Sequence, residues 1–450
     1  MYILSNRLKI FSLTLIIIGS LGWFYSYSTS HLTLDQVKEL LAEESHYGSH
    51  SDTAHAMESS NEKHHNADIH HEEMDGHSED VHGHEDEHAE HVLHQIHNRP
   101  YAALYVAAFF FMMISLGTLA FYAIQYASQA GWSPVLFRVM EAITYYLLPG
   151  ALMVLLIAYV GDKHIFIWMD PEVVAHDEII QAKEGWLNKT SFLIRALIYI
   201  GGWSLYRYFS RKFSIAQDQA SDNKNFKRNF QISAGFLVFF MYTESMMSWD
   251  WIMSVDPHWF STLFGWYVFA SMAVSGITVI ALITIYLKSK GLLEHVNDSH
   301  LHDLAKFMFG FSVFWAYLWF SQFMLIWYAN IPEEVTYFVT RIEMYPIPFF
   351  TMVALNFLFP FFVLMNSDYK RFPIFIIMAG VVILIGHYMD VYIMIMPATV
   401  IDRYGFGIAE FSSILIFLGL FLLIVFYSLS KEKLLAKRNP LIKESKNFHY

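Results

Sequence analysis

The sequence predicts an all-α integral membrane protein of ten transmembrane helices, on three observations. Ten apolar runs each reach the roughly twenty residues that cross a hydrocarbon core. The loops between them alternate in basic charge: 19 Lys and Arg lie on the side of the N-terminus and eight on the opposite side. Aromatic residues form 18% of the chain, in keeping with Trp and Tyr anchors at both interfaces.

In order, the spans are expected at 10–27, 101–126, 139–160, 189–209, 230–251, 263–287, 304–328, 346–366, 374–396 and 410–429. Arg7 and Lys9 before the first run resemble a secretory leader, but the run ends in Leu21-Gly22-Trp23-Phe24-Tyr25. No small-x-small cleavage site adjoins it, so a retained helix is expected. Pro149 and Pro360 fall inside the third and eighth spans and should kink them. Ten crossings put both ends on one side, and the excess of basic residues places that side in the cytoplasm. The chain then divides into 1–27, the first crossing; 28–100, an outer loop; 101–251 and 252–396, four crossings each; and 397–450, the last helix with a basic cytoplasmic tail.

The 55% apolar composition leaves little room for a soluble class. No cysteine is present, which excludes disulfides, thiolate-held iron–sulfur clusters and the usual covalent haem. The net charge of −12 comes mostly from the outer loop, and no basic stripe suggests nucleic-acid binding. Residues 46–97 hold fourteen His among many Asp and Glu. Such a segment buries no core and should be largely disordered, with Glu85–His97 extending the second span as a short stalk. Imidazole and carboxylate suit zinc, copper or nickel. The spacing of His70, His71, His77, His82, His84 and His88 marks no structural site, so only weak metal binding is expected, with a solvated tether as the plainer reading.

Charges at membrane depth are costly and point to function. Glu244, His387 and Asp390 lie deepest, and the last two, three residues apart, share one helix face. Glu141, Arg195 and Asp250 lie nearer the ends of their spans, where local pairing is the plain alternative; Arg195 is placed to pair with one of the acids. A proton path through these six residues competes with a buried structural network. Only His387 lies at the depth of a membrane haem ligand, so no haem is expected in this chain. At the outer surface Asp250, Asp256 and His258 cluster with Trp249, Trp251 and Trp259, a set able to receive quinol protons. An interfacial aromatic belt with a turn at Asp256-Pro257 explains the same residues.

Met-Ser-Trp-Asp-Trp at 247–251, followed by Asp-Pro-His-Trp-Phe-Ser-Thr at 256–262, resembles the polysulfide-reductase-like (NrfD-type) membrane subunits. Within these the chain is most similar to the ActF-type subunits of alternative complex III, a bacterial quinol:cytochrome c oxidoreductase. The resemblance implies two four-helix bundles, spans two to five and six to nine, flanked by spans one and ten, in the bacterial inner membrane. It implies as partners a multihaem cytochrome c, an iron–sulfur protein of molybdopterin-enzyme ancestry, a related ten-span subunit, a monohaem cytochrome c, small membrane subunits and, further off, a terminal cytochrome c oxidase. Haem c and iron–sulfur clusters would sit in those partners, with quinol as the substrate of the whole. This chain would contribute structure and a proton path. A third reading, a secondary metal or proton transporter fed by the His-rich loop, lacks the matched broken spans such proteins show.

Overall fold

A computed structural model describes residues 2–55 and 78–449, of which 45–55 and 78–85 are described by backbone alone. Among the described residues every regular element is helical. The long helices are α1 (Asn6–Ser30), α2 (Leu34–His55), α3 (Ser78–Ala127), α4 (Pro134–Val160), α5 (Lys189–Gln217), α6 (Lys224–Trp251), α7 (Phe264–Ser289), α8 (Asp298–Ala329), α9 (Pro332–Glu343), α10 (Pro346–Met365), α11 (Pro373–Thr399) and α12 (Ile408–Leu429). Eight are long and apolar enough to cross a membrane: α1, α3, α4, α7, α8, α10, α11 and α12. The protein is thus an all-α, multi-pass membrane protein. Helices α5 and α6 match the fourth and fifth expected spans and are as long, but their sequences are more polar.

Burial is uneven, and the reason lies in the solvent. Lipid tails are as apolar as Leu, so helices in a bilayer associate through close packing of small residues. Helix α3 is almost wholly enclosed, packing on α4, α6, α7, α11 and α12. Its crossing with α7 is tight because Gly117 and Gly276 face each other's backbone: a Cβ on Gly117 would lie 2.0 Å from the Met272 carbonyl oxygen. Helix α1 is mostly exposed and rests on α12 along a seam of Ser12, Gly19, Ser412 and Gly419. Helix α5 packs on α4 and α6; α10 packs on α8 and α11; α7 touches both α8 and α11.

Prolines mark the irregular turns. A proline lacks the N–H that its i−4 carbonyl expects. Helix α4 tightens to a 3-10 turn at Thr144–Tyr146 just ahead of Pro149, and α10 widens to a π turn at Ala354–Leu358 just ahead of Pro360. Pro397 in α11 leaves the Ile393 carbonyl free, and buried Arg341 of α9 donates to it at 3.1 Å.

Within 28–100 the described parts are helical rather than loop. Val37, Leu41, Ala89 and Val92 form a small core that pairs α2 with the first turns of α3, enough apolar surface to order them. The continuous α3 includes the expected stalk. His70, His71 and His77 lie outside the described residues. The tail also folds: Ser445 Oγ donates to the Trp132 carbonyl at 2.6 Å and Asn297 Nδ2 to the Phe448 carbonyl at 2.6 Å, tying the loops on its side together.

Candidate functional site: a buried carboxylate network

Asp390 and His387 are wholly buried on α11, and three donors from two other helices converge on the carboxylate. Tyr267 and Ser271, one turn apart on α7, present hydroxyls to it: Tyr267 donates to Oδ1, and Ser271 to Oδ2 at 2.7 Å. Trp315 Nε1 of α8 donates to Oδ2 at 2.8 Å. No Lys or Arg forms an ion pair with Asp390 among the described residues. Nδ1 of His387 lies 2.9 Å from Ser271 Oγ and 3.3 Å from Asp390 Oδ2. Ser271 has one hydrogen; with that given to the carboxylate, Nδ1 carries the imidazole proton. Nε2 is then the bare nitrogen, and it is buried with no partner.

Space and polar groups flank this centre on both sides. Toward the end of α11 near Pro397, a cavity of about 10 Å³ is lined by Tyr267, Gln322, Tyr337 and Arg341, the scale of one water. Arg341 lies over the Tyr337 ring at 3.3 Å and gives its other donors to backbone carbonyls. Toward the opposite end, Asn356, Thr278 and Ser312 are buried with polar side-chain atoms unpartnered. Asn356 abuts Gly386, next to His387, and Thr278 abuts Gly380 on α11. Unpaired polar atoms in such a place are natural water positions.

The other charges on α4 to α6 are differently held. Asp250 is wholly buried and fully occupied: Arg195 grips both oxygens at 2.7 and 2.8 Å, Trp186 Nε1 donates at 2.8 Å and Tyr199 at 2.9 Å. Arg195 also lies over the Trp186 ring at 4.1 Å. The pairing anticipated for Arg195 is therefore present, and it ties α5 to α6. Glu141 is likewise enclosed, by Arg138 at 2.7 Å, Ser214 at 2.5 Å and Tyr122 at 3.0 Å, and Arg138 also pairs with Asp218. Glu244 is buried on α6 with Oε1 unpartnered. Among the described residues no hydrogen bond joins Glu244, Asp250 or Glu141 to the Asp390 network.

At the end of the helices opposite the C-terminal tail a cavity of about 440 Å³ is lined by Trp186, Trp249, Trp259, Met253, Lys183 and Asp256, among others. Asp256, Trp249 and Trp259 of the cluster expected from sequence line it. His258 does not; it turns to Asp177, 2.6 Å away. Two backbone hydrogen bonds and that imidazole hold the Asp177 carboxyl below its usual range. Asp250 sits beneath, committed to Arg195. Trp249 Nε1 is buried and unpartnered.

No family model matches this chain, and no curated protein matches it. The site is read from its own residues. Of these, Tyr267, Ser271, Trp315, Tyr199 and Trp186 escaped sequence reasoning, because a neutral donor in an aromatic-rich span carries no depth signal. Arg341 and Arg138, which fall outside the expected spans, are 3% and 5% exposed. Pro397, four residues beyond Ile393, was a legible sign that some donor must reach α11.

Proposed function

We propose that this chain is the ActF-type membrane subunit of a bacterial quinol:cytochrome c oxidoreductase, and that it conducts protons through the Asp390 network. In this reading ten helices span the inner membrane with both termini cytoplasmic, α5 and α6 included. Several of the polar residues that set α5 and α6 apart satisfy one another, as Arg195 with Asp250 and Ser210 with Asn229 do. The mutual packing of α3 to α6, and of α7, α8, α10 and α11, supports two four-helix bundles. The observation that carries proton conduction is a buried acid and an imidazole joined through Ser271, with water-sized space on one side.

The chemistry needs no redox group. A proton arriving at His387 Nε2 makes imidazolium, whose Nδ1 proton passes by way of Ser271 to Asp390. Asp390 hands a proton to Tyr267 as Tyr267 releases its own to water beneath Arg341. Passage of a proton leaves His387 protonated on Nε2 and bare on Nδ1, so a flip of the imidazole ring, with rotation of the Ser271 and Tyr267 hydroxyls and of the Asp390 carboxyl proton, resets the path before the next proton; the path runs equally in reverse. Pull-down of the chain from native membranes in mild detergent, with a redox difference spectrum, tests the assignment. A multihaem c-type cytochrome and an iron–sulfur protein should copurify; a colourless chain recovered alone rules the reading out.

A second reading attaches to the outer cavity. Its aromatic walls, the unpartnered Trp249 N–H, Lys183 and Asp256 suit a quinol ring, with this chain binding substrate directly. Photoaffinity quinone should then label residues 249–260; labelling confined to partner subunits sinks that reading.

A further inference from the structure

Three cations surround one phenol ring at the end of the helical array nearest the C-terminal tail. Around Tyr145 of α4, Arg207 lies at 4.5 Å, Lys431 at 5.4 Å and Arg211 at 5.9 Å from the ring centroid. They come from α5 and from the residues just beyond α12, so the cluster fills the cleft where α4, α5 and α12 meet. Among the described residues none of the three forms an ion pair with a carboxylate. Glu141, on α4, offers Arg211 only its backbone carbonyl, since its carboxylate is spent on Arg138, Ser214 and Tyr122, and Glu432, next to Lys431 in sequence, forms no ion pair with the three among the described residues. Nε of Arg207 is buried and has no acceptor. Three like charges held this close, one with an unused buried donor, need an anion to be at rest.

We propose that this cleft binds the headgroup of an anionic phospholipid. Depth and shape select a lipid over a free anion. Arg207 stands two to three turns inside the end of α5, which puts its guanidinium near the boundary between headgroups and acyl chains. From Tyr145 an exposed apolar stripe, Leu148, Leu152 and Leu156, runs one turn at a time along α4 away from the cations. It forms a track for an acyl chain whose phosphate lies among Arg207, Arg211 and Lys431. The aromatic rings of Tyr145 and Tyr427 flank the headgroup level, and Lys431 Nζ lies 4.5 Å from the Tyr427 ring. Basic clefts between membrane helices on the cytoplasmic side are favourable for cardiolipin-like lipids, whose two phosphates match a triple charge. The inference rests on the membrane-spanning reading and is independent of proton conduction and of the respiratory partners.

The test uses the full chain with whatever partners copurify, in neutral detergent, by native mass spectrometry and lipid titration. The probes are tetraoleoyl cardiolipin, phosphatidylcholine and inorganic phosphate. Wild type should hold cardiolipin in preference to phosphatidylcholine, and millimolar phosphate should not displace it. Arg207→Gln with Arg211→Gln should weaken cardiolipin about thirtyfold, near the effect of two surface-depth cations, while exposed Lys212→Gln leaves it unchanged. Should the double variant not fold, Lys431→Gln at the exposed rim should still weaken binding about fivefold. Equal retention by variants and wild type, equal binding of phosphatidylcholine, or displacement by phosphate each overturns the proposal.

Discussion

Replacing Asp390 with Asn separates proton transfer from architecture. The carboxylate receives Tyr267 on one oxygen and Ser271 and Trp315 on the other. An Asn whose carbonyl takes the Ser271–Trp315 side keeps two of these bonds and turns its amide toward Tyr267, whose oxygen can accept. One hydrogen bond is reoriented, so the structural cost should be about 1–2 kcal/mol. Leu at the same place would strand three buried donors, at least about 3 kcal/mol, and would confuse the two effects. The amide cannot take up and release a proton at working pH. If Asp390 lies on the path, proton transfer should fall at least ~100-fold, the lower range for a positioned acid–base group.

The assay is quinol-driven proton movement by the complex in liposomes, with a pH-sensitive dye inside and turnover recorded together. Thermal unfolding of the same sample checks the structural estimate. Asp390→Asn should remain assembled and unfold within a few degrees of wild type, with the proton-to-electron ratio lowered. His387→Gln should act in the same direction, because Nε2 is the open acceptor and no second imidazole lies in the network. Unchanged proton stoichiometry in both variants would refute the assignment, and the network would then be a structural bond set joining α7, α8 and α11.

Other outcomes follow from the same geometry. Arg195→Met should cost about 3–5 kcal/mol in detergent unfolding, because Asp250 is left as an uncompensated buried charge; adding Asp250→Asn, which removes the charge and keeps an acceptor for Trp186 and Tyr199, should recover most of it, and failure to recover would mean the pair is not the lock. Gly117→Ala places a Cβ 2.0 Å from the Met272 carbonyl, so the α3–α7 crossing must open, at roughly 3 kcal/mol or more; wild-type unfolding in this variant would contradict the packing. His164, outside the spans, stacks on Tyr101 at 4.4 Å and bonds Asn98 Oδ1 at 2.8 Å. Burial, then the charges of His97 and His94, lowers its pKa from 6.5. The unfolded chain therefore takes the proton first, so stability is full above pH 6.5 and falls as pH drops through that value toward the folded pKa. His97, His300 and His302 are lowered by burial in the same sense, so His164→Gln should lose less melting temperature on acidification than wild type rather than none; parallel curves from about pH 5 to 8 would reject this.

Much of the helical frame was legible. Each expected span falls on one observed helix to within a residue at its ends, because a run of apolar residues needs only local information to be read. The kinks expected at Pro149 and Pro360 coincide with a 3-10 turn and a π turn just ahead of each, since the missing N–H acts within one turn. The site was legible only by its charges. His387 and Asp390 stood out by depth, but their partners are Tyr, Ser and Trp from helices 75 to 123 residues away in sequence. In a chain with 12 Trp and 27 Tyr such donors are indistinguishable from packing until the fold selects them. The helical order of 34–44 was missed for a related reason: its apolar residues are sparse, and only the partner turns of α3 make them a core.

The two halves of the chain carry one signature to different ends. Asp250 stands seven residues before Pro257, and Asp390 seven before Pro397. Both are wholly buried, and both accept from a Tyr and a Trp. The difference is the arginine. Arg195 grips Asp250 with two charge-assisted bonds, whereas Arg341 is drawn to the backbone carbonyl that Pro397 leaves free. A carboxylate clamped by guanidinium must break strong bonds before it can take a proton. One held by neutral donors, beside an imidazole with an open nitrogen, has no such barrier. On the proposed reading the same residue type therefore serves as a lock between α5 and α6 and as a relay between α7 and α11. Moving the charge should move the role: an arginine within reach of Asp390 would silence the relay without emptying the site.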